Sequence, residues 1–571
     1  MKYTLSYNNP SNHYLHIEAE ISTQGKAEIE LQFPAWRPGR YELGNFAKNI
    51  KNFVIYDNEG KKLDFKKVTK DKWLVKTNGV DAVKVDYYYY SFELNAGSTF
   101  LDEKQLYVNP VNCFIYNPDL QEEACTTQLV IPEDYRIACS MKHVENCLEA
   151  ESYHELVDSP FIASPTLQHF QFKHKETNYH LWFQGECKID WKRVKKDFLG
   201  YTKNQVKMMG EFPVSEYHYI YQITPYRTYH GVEHSKSTVC ALGPTYDLMG
   251  SLYEDFMGVS SHELYHTWNI KAIRPSEMFP YDYSKENHSK MGYVAEGVTT
   301  YLGDLFLLRG KVFDLKWYMS ELTKQIQRHI DNEGRLSMSV ADSSYDTWLD
   351  GYVAGAPGRK VSIYTEGCLL AFVLDVYMLK QTGNKLGIHD VMYKLYHDYA
   401  KQGKPYTEEI YKSVAEEICG QNLDWLFNDY VNEARSYEGL IMDALETIGF
   451  ELKKKENPKI SEREHGMLIL NNEIKKIASG SPADMAHFSL NDKIEAINGF
   501  KVNNDIDKWF NYFKGDEIFL TINRAGELIE KKMPQVNLNF MNKYEIVEVE
   551  ENYRSQREAF NKWSNRYGKS K

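Results

Sequence analysis

The 571-residue sequence contains no run of about 18 consecutive apolar residues, the length that a helix needs to span a bilayer. We therefore expect no membrane-spanning helix and no membrane partner. The first ten residues, MKYTLSYNNP, also lack the apolar stretch of a secretory signal peptide. This absence predicts a cytoplasmic location.

Cysteine is sparse, and the sequence lacks a Cys-x-x-Cys pair. Four of the eight cysteines fall between positions 113 and 147, so the spacing leaves disulfides open. The absence of an export signal favours reduced thiols instead.

An excess of positive charge is missing as well. The formal net charge is −12 and the pI is about 5.9. An acidic protein repels phosphate backbones unless it carries a strong basic patch, and short basic clusters such as 453–455 are typical of solvated faces. We therefore expect no nucleic-acid partner.

The sequence does contain enough chain for several domains, because 571 residues exceed what a single hydrophobic core usually holds. Its 42% hydrophobic and 26% charged residues are ordinary for a folded protein. Its 43 tyrosines indicate strands and aromatic-lined surfaces. The predicted fold class is multidomain α+β.

Residues 1–170 are predicted to form an N-terminal β domain, most simply a β-sandwich. Alternating apolar and polar runs, for example at 15–21 and 83–89, are separated by turn signals such as Asn78-Gly79. No convincing long helix interrupts these runs.

Helical spacing begins near position 190, and residues 171–455 are predicted to form a mostly α domain with a small sheet at its start. Strand-like runs at 217–224 and 232–242 supply the sheet. The helices are predicted at 190–211, 246–268, 291–308, 315–330, 365–381, 388–401 and 407–418.

Residues 456–540 return to short strands, which flank turn signals at 480–486 and 524–526. Residues 541–571 are predicted to form a charged tail with a helical pattern. The chain thus divides into four predicted segments.

The sharpest chemical signal is the run HELYH, from His262 to His266, within a predicted helix. Residues four apart lie on one face of a helix, so both imidazoles can bind one ion. Zinc suits neutral imidazole nitrogen and leaves Glu263 free as a general base. A chance match among 18 histidines is the alternative, and the helical context argues against it. The predicted cofactor is one zinc ion per chain.

A catalytic zinc site needs a third protein ligand and an open coordination position for water. Glu296 is the best candidate because it lies on the next predicted helix, beside the apolar residues Val294, Ala295 and Val298. A solvated surface glutamate is the alternative, which these neighbours disfavour. Glu286 is the rival ligand, in a polar segment that we expect to be a loop.

Four segments of the sequence carry a more extended pattern. They are HELYHTWN at 262–269, KAIRP at 271–275, AEG at 295–297 and FPAWRPGRY at 33–41. Together they resemble the glycyl aminopeptidase family, and the resemblance covers nearly the whole chain. That family belongs to the gluzincins, so the resemblance implies a thermolysin-like catalytic domain whose third zinc ligand is a glutamate. It also implies that residues 456–540 form a PDZ-like domain.

The resemblance further implies a substrate-binding segment. GVEH at 231–234 resembles the family's Gly-Gly-x-Glu-His stretch, with His230 in place of the first glycine. In related aminopeptidases the acidic residue lies on an edge strand and grips the substrate's α-amine, which implies that Gly231 and Glu233 bind substrate. An exposed strand glutamate is the alternative for Glu233.

Tyr364 is the residue that the resemblance implies as the stabiliser of the oxyanion. YTEG at 364–367 resembles the clan's Tyr-x-Lys-Gly motif, whose tyrosine hydroxyl stabilises the tetrahedral intermediate. Glu366 stands where a lysine is usual, and that lysine is not the catalytic member. A structural role is the alternative for Tyr364, because the chain has 43 tyrosines.

The expected function is that of a zinc-dependent aminopeptidase, with a peptide that has a free N-terminus as substrate and Glu263 as general base. The resemblance implies a preference for Gly or Ala. A zinc endopeptidase of thermolysin type, which would not need Glu233, stays open. So does a non-catalytic scaffold, although an intact Glu263 argues against it. The PDZ-like segment either binds a peptide or protein ligand through a loop at 465–468 or only shapes the cleft.

Overall fold

The computed structural model describes residues 1–353, 355–550 and 553–565. The chain divides into two compact units. Of the described residues, the larger unit contains those of Met1–Tyr318, Glu333–Ile448 and 554–565, and the smaller unit contains those of Met319–Asn332 and Gly449–Tyr553. The N-terminal region and most of the helical region therefore belong to the same unit.

The N-terminal region is rich in β-strands, as the sequence predicts. Its strands are β1 (Lys2–Ser6), β2 (Tyr14–Ser22), β3 (Glu28–Gln32), β4 (Ile50–Tyr56), β5 (Phe65–Lys67), β6 (Lys72–Lys76), β7 (Ala82–Tyr90), β8 (Phe100–Leu101), β9 (Leu106–Val108), β10 (Cys125–Leu129), β11 (Arg136–Cys139), β12 (Lys142–Val144), β13 (Cys147–Ala150) and β14 (Phe161–Ser164). Two short helices, α1 (Pro110–Cys113) and α2 (Tyr153–Val157), interrupt them. The strands form sheets in the orders β12-β13-β10-β1-β2-β7-β4, β11-β14-β9-β8 and β3-β6-β5.

One hydrophobic core holds these sheets together. Alternate side chains of β2, such as Leu15 and Ile17, are fully buried in it. Trp73 of β6 and Leu106 of β9 bring the two smaller sheets into the same core. Apolar residues alternate with polar ones in the sequence, and buried side chains alternate with half-buried or exposed ones in the same register, as expected of strands that cover one core.

The next region begins with a sheet of β15 (Gln168–His174), β16 (Thr177–Gln184), β17 (Glu216–Ile223), β18 (Thr228–Glu233) and β19 (Ser237–Gly243). Their order is β15-β16-β17-β19-β18, so β18 is an edge strand. The helices are α3 (Trp191–Met209), α4 (Tyr253–His266), α5 (Thr299–Arg309), α6 (Leu315–Asp331), α7 (Val340–Tyr345), α8 (Thr347–Asp350), α9 (Ile363–Gln381), α10 (Ile388–Lys394), α11 (Glu408–Cys419), α12 (Asp424–Leu426) and α13 (Glu438–Thr447). Turns of π-helix occur at Tyr293–Val298, Leu395–Tyr399 and Phe427–Val431.

The predicted helices are present, with shifted ends. Asp190 caps α3, because its side chain accepts a hydrogen bond from the Arg193 amide, and Thr407 caps α11 in the same way. The largest shift affects the helix predicted at 246–268, whose regular part begins only at Tyr253.

The single strand predicted at 232–242 is wrong, because the chain reverses direction between β18 and β19. Asp158 accepts hydrogen bonds from the Ser235 amide, at 2.9 Å, and from Nδ1 of His234, at 3.1 Å, and these bonds fix the reversal. The polar triplet HSK at 234–236 is the signal of the turn, and the apolar residues on both sides of it obscured that signal.

The smaller unit contains mainly short strands. They are β20 (Phe450–Lys455), β21 (Met467–Leu470), β22 (Glu473–Ile477), β23 (Lys493–Ile497), β24 (Phe500–Lys501), β25 (Phe519–Arg524), β26 (Glu527–Lys532) and β27 (Lys543–Glu548). The strands β21-β22-β23-β25-β26 form one sheet, β24 pairs with β23, and β20 pairs with β27. Three short helices complete the unit: α14 (Ile460–Arg463), α15 (Pro482–Met485) and α16 (Ile506–Tyr512).

The segment predicted as a charged tail contains β27 and a final helix, α17 (Arg554–Asn565), which belongs to the larger unit. Trp563 of α17 is fully buried. Its Nε1 donates a hydrogen bond of 2.8 Å to the Tyr301 hydroxyl, and its carbonyl oxygen accepts one of 2.9 Å from Nε of Arg309. Both partners lie on α5, so α17 is anchored to that helix.

Within 1–353, 355–550 and 553–565, no helix is long and apolar enough to cross a bilayer. None of the eight cysteines, all of which lie in the described residues, forms a disulfide, and seven of them are buried.

Candidate metal centre and active site

Helix α4 carries the HELYH motif and packs against α5 and the strands β18 and β19. The hydroxyl of Ser260 lies 2.7 Å from that of Tyr221, which anchors the helix to the sheet. On the opposite side, a Cβ at Gly303 of α5 would lie only 3.2 Å from the Cα of His262. The motif is therefore held between the sheet and a closely packed helix.

Three side-chain atoms converge beside α4. Nε2 of His262 and Nε2 of His266 are 2.9 Å apart. Oε2 of Glu296 lies 3.7 Å from the first nitrogen and 3.4 Å from the second. Two ligands at about 2.1 Å from a tetrahedral ion are about 3.4 Å apart, so these separations suit one bound cation.

A hydrogen bond to the backbone fixes the orientation of the His266 ring. Its Nδ1 lies 2.6 Å from the carbonyl oxygen of Asn269, to which it can only donate, so Nε2 keeps its lone pair for the metal position. The side chain of Asn269 in turn donates to the carbonyl of Val294, at 2.9 Å, and to the hydroxyl of Thr299, at 3.0 Å. Asn269 thus ties the end of α4 to the segment that carries Glu296.

Glu296 lies in the π-helical turn Tyr293–Val298, and such turns are frequent at functional sites. Its Oε1 accepts a hydrogen bond of 2.9 Å from the hydroxyl of Tyr41, which leaves Oε2 facing the two histidines. Tyr41 comes from the N-terminal region. Tyr41 belongs to the FPAWRPGRY segment and Asn269 to HELYHTWN, but the sequence pattern predicts no role for either residue.

The pKa values of the three proposed ligands are shifted because their side chains are buried close together. Burial lowers the pKa of His266, but the hydrogen bond and charge of Glu296 outweigh burial and raise it to about 10. Burial, followed by the charge of His266, lowers the pKa of His262. The two imidazoles hold the pKa of Glu296 well below its usual range, although burial acts in the other direction. A proton on His266 occupies the place of a metal, so protons and metal compete here.

Glu263 faces the edge strand β18. A Cβ at Gly231 would lie 2.2 Å from Oε1 of Glu263, so only glycine leaves room for this carboxylate. Oε2 is buried and has no hydrogen-bond partner in the described part of the chain. Burial raises the pKa of Glu263 to about 8, although the charge of His266 opposes the rise. An unpartnered carboxylate with a raised pKa is suited to general-base chemistry.

Glu233 ends strand β18 and is buried. Glu233, Glu263 and His266 each bring one potential ligand atom within 4.8 Å of the others. Gly39 of the N-terminal region lies against the Glu233 carboxylate, since a Cβ there would be 2.5 Å from Oε2. No lysine or arginine among the described residues forms an ion pair with Glu233, so its carboxylate is available to a ligand ammonium group.

Tyr364 is the second residue of α9 and remains 37% exposed. Lost hydration, followed by the negative charge of Glu296, raises its pKa well above the usual value. The phenol therefore keeps its proton at neutral pH and can donate a hydrogen bond. A Cβ at Gly297 would lie 2.2 Å from the Cα of Gly367, so these two glycines let α9 pack directly on the segment of Glu296.

Two other motif residues have structural partners. Glu366, at the position where a lysine is usual, is buried and accepts a hydrogen bond from the Tyr437 hydroxyl. Lys271 of the KAIRP run is buried, and its Nζ lies 2.7 Å from Oδ1 of Asp158. Although burial favours the neutral acid, Lys271 and then His234 hold the pKa of Asp158 well below its usual range.

Comparison with protein families bears on the identity of this site. Residues 2–165 match the model of the Peptidase M61 N-terminal domain, and residues 255–370 match that of the M61 glycyl aminopeptidase. The second match contains the HELYH motif, Glu296 and Tyr364. The matches and the arrangement of metal-binding side chains define the class as metallo-aminopeptidase. Both matches are to the M61 glycyl aminopeptidase family, which confirms the resemblance seen in the sequence.

A solved structure from Idiomarina loihiensis shares the fold. The chain is similar to an aminopeptidase N family protein from Idiomarina loihiensis, with a TM-score of 0.90 and 22% identity over 98% of this chain and 99% of that chain. It is more distantly similar to an M1 zinc metallopeptidase from Deinococcus radiodurans, with a TM-score of 0.48 and 12% identity over 76% and 94% of the two chains. For native yeast LTA4 hydrolase the TM-score is 0.45, with 12% identity over 76% and 69%. Comparison with curated protein sequences gave no match.

Proposed function

We propose that this protein is a zinc-dependent aminopeptidase that hydrolyses the first peptide bond of substrates with a free N-terminus. The observation that carries the proposal is the shared position of His266 in two clusters. One cluster joins it to His262 and Glu296, and the other joins it to Glu233 and Glu263. Three metal ligands, a general base and an amine-binding carboxylate thereby lie within reach of one small substrate.

The donor set supports zinc. Two imidazole nitrogens and one carboxylate oxygen form a common set of ligands in hydrolytic zinc sites, with a further position for water. The hydrogen bond from His266 to Asn269 presents the correct nitrogen to the ion. When bound, one zinc ion per chain would supply Lewis acidity to the attacking water and to the scissile carbonyl.

Glu263 moves the proton in this proposal. Its Oε2, which has no protein partner in the described residues, takes the proton from the attacking water. The same oxygen then delivers the proton to the departing amine. Gly231 serves the reaction by leaving space for this carboxylate on strand β18.

Tyr364 acts on the carbonyl oxygen. Its phenol donates a hydrogen bond to the oxygen as negative charge develops there, a contact that gains strength only beyond the ground state. The close approach of Gly297 and Gly367 keeps the helix of Tyr364 at a fixed distance from Glu296.

Glu233 selects substrates with a free N-terminus. Its carboxylate holds the α-ammonium group one residue before the scissile bond, so the enzyme removes one residue per event. A preference for N-terminal Gly or Ala follows from the family resemblance and is part of the proposal.

The PDZ-like role of residues 456–540 is also a proposal. β21 is an edge strand, and the run at 465–468, predicted to be a loop, includes the first two residues of this strand, so that only His465 and Gly466 precede it. The ring of His465 lies 4.1 Å from that of Phe510 in α16, so this helix flanks the same loop. An extended peptide or protein segment could add a strand to β21 in this setting.

The proposed function is tested with the purified protein and two matched tripeptides, Ala-Ala-Ala and its N-acetyl derivative. We expect release of alanine from the free peptide, loss of this activity with a chelator, and recovery with stoichiometric zinc. The acetylated peptide should be a poor substrate, because it lacks the ammonium group. Cleavage of both peptides at equal rates would identify an endopeptidase, and activity that survives full metal removal would exclude the zinc mechanism.

A further inference from the structure

Arg37 carries a buried positive charge that the described protein leaves without an ion-pair partner. The residue is 6% exposed, and no described carboxylate lies within 4.0 Å of its guanidinium. Its Nη1 is buried and has no hydrogen-bond partner. A guanidinium stays charged and offers five donors, and an uncompensated buried charge is costly. We therefore expect the Arg37 guanidinium to bind an anionic ligand.

The guanidinium lines an open cavity of about 530 Å³ within the larger unit. Gly97 lies directly against it, since a Cβ at this position would be 2.0 Å from Cζ of Arg37. The cavity is within the usual size range for a small-molecule site. Arg37 is thus held in place at the wall of a space that can admit a ligand.

Arg40 and the acidic residues of the cavity have partners of their own. Arg40 donates to Oε2 of Glu42, at 2.7 Å from Nη2, and stacks on a tyrosine ring. Glu93 accepts a hydrogen bond of 2.6 Å from the side chain of Asn95. Neither carboxylate reaches Arg37, so the protein does not neutralise the positive charge of Arg37 from within the cavity.

Among the described residues, His230 is the side chain that forms a hydrogen bond with the guanidinium, with Nη2 of Arg37 3.4 Å from Nε2 of His230. Burial, followed by the charges of Arg37 and Arg40, lowers the pKa of His230 to about 3. The imidazole is therefore neutral at pH 7 and can accept a hydrogen bond without cancelling the charge.

The cavity adjoins the proposed active site through two chain segments. His230 directly precedes Gly231, which touches Glu263, and Arg37 is two residues before Gly39, which touches Glu233. The same two segments therefore contribute both to the cavity wall and to the surroundings of Glu233 and Glu263.

We propose that the cavity at Arg37 binds a carboxylate of the peptide substrate, through charge-assisted hydrogen bonds from the guanidinium. The inference rests on the proposed aminopeptidase function and assigns it a substrate class, peptides with a carboxylate a short distance after the scissile bond. The carboxylate is either the C-terminus of a short peptide or an acidic side chain, and both present the same geometry to a guanidinium.

A different role for Arg37 predicts different kinetics. Its charge acts on Glu233 and Glu263, so Arg37 could serve only to balance these carboxylates. Removing the charge would then reduce turnover of every peptide equally. A carboxylate-binding role affects only substrates that carry the carboxylate.

The test compares two pairs of peptides in the zinc-loaded protein. One pair is Ala-Ala-Ala and its C-terminal amide, and the other is the amides of Ala-Asp-Ala and Ala-Asn-Ala. We expect kcat/KM to be roughly 10- to 100-fold higher for the carboxylate member of one pair, and that pair identifies the source of the carboxylate. Equal values within both pairs would overturn the proposal.

Variants assign the effect to a residue. Arg37→Gln should abolish the preference by raising KM for the carboxylate peptide, and Arg37→Lys should restore only part of it, because lysine lacks the planar fork. Lys61→Gln, which removes a charge from an exposed residue outside the cavity, should keep the preference. An equal loss on both members of the pair in Arg37→Gln would establish the charge-balancing role instead.

Binding separates this inference from the proposed function. If the wild-type protein cleaves no peptide, the aminopeptidase proposal fails. Calorimetric Kd values for the same peptide pairs then decide the subsite alone. Binding at least about tenfold tighter for a carboxylate member supports it, and equal Kd values overturn it. The wild-type comparison stands even if Arg37→Gln fails to fold.

Discussion

The hydroxyl of Tyr41 donates a hydrogen bond of 2.9 Å to Oε1 of Glu296, although 255 positions separate the two residues in the chain. The bond holds one carboxylate oxygen and directs the other, Oε2, toward the two histidines. The N-terminal β region therefore contributes directly to the proposed metal centre.

We expect Tyr41→Phe to weaken zinc binding by about 10- to 100-fold, because partners of metal ligands fix ligand orientation. Competition with a chromophoric chelator measures this affinity. Tyr364→Phe is the matched control, since it removes a phenol hydroxyl from the same site without touching a proposed ligand. It should leave zinc affinity unchanged and lower kcat by about 100-fold. Identical effects of the two variants would contradict this division of roles.

The ligand assignment predicts the metal content of four variants. His262→Ala, His266→Ala and Glu296→Ala should each lose stoichiometric zinc, as measured by elemental analysis of the purified proteins. Glu286→Ala should retain it, because Glu286 lies outside the cluster of potential ligand atoms. Retention in the Glu296 variant combined with loss in the Glu286 variant would reverse the assignment.

Glu263→Gln should keep its zinc and lose turnover. An amide cannot accept a proton from water at neutral pH, so kcat should fall by about 100- to 10,000-fold. Metal analysis of the same sample shows whether the loss arises at the base or at the metal. A variant with intact zinc and near-normal kcat would exclude Glu263 as the base.

The raised pKa of Glu263 also predicts how the stability of the metal-free protein depends on pH. The pKa of this carboxyl is about 8 in the folded protein, against 4.5 for an ordinary glutamate. A raised folded-state pKa contributes stability that is fully present below about pH 4.5 and is lost as pH rises through 8. Relative to Glu263→Gln, the wild type should therefore become less stable between pH 5 and pH 9. Calorimetric Tm values of chelated proteins test this, and a constant difference would contradict it.

Glu233→Gln tests the recognition of the substrate's amine. The amide has nearly the same shape but no charge, so kcat/KM for free tripeptides should fall by about 10- to 100-fold. Rates on N-acetyl peptides should change little, because these substrates never engage the carboxylate. An equal loss on free and acetylated peptides would indicate that Glu233 supports the site without binding the amine.

The sequence was most informative where function depends on short spacing. His262 and His266 lie one helical turn apart, so their shared face follows from helix geometry alone. Glu296 could be predicted as a ligand because its apolar neighbours indicated a buried helix. The structure brings all three side chains together, at 2.9 to 3.7 Å.

Contacts between residues that are distant in sequence could not be predicted from such spacing. The contact of Tyr41 with Glu296 and that of Gly39 with Glu233 join regions distant in sequence, and no local period encodes them. The turn after Glu233 was missed because apolar runs flank it on both sides. Trp563 was missed because its helix is mostly charged, and only its spacing of four from Ala559 marks a buried side.

The position of Trp563 in the chain has a consequence for biosynthesis. A ribosome that has translated Tyr364 has supplied all the proposed catalytic side chains, yet Tyr301 and Arg309 still lack the partner that Trp563 provides. The whole of Gly449–Tyr553 must be translated before that partner emerges. Domains generally fold in the order of synthesis, but here all residues of the smaller unit are translated before Trp563 of the larger unit. We therefore expect the larger unit to reach its native packing only after Trp563 has been translated and has reached Tyr301 and Arg309.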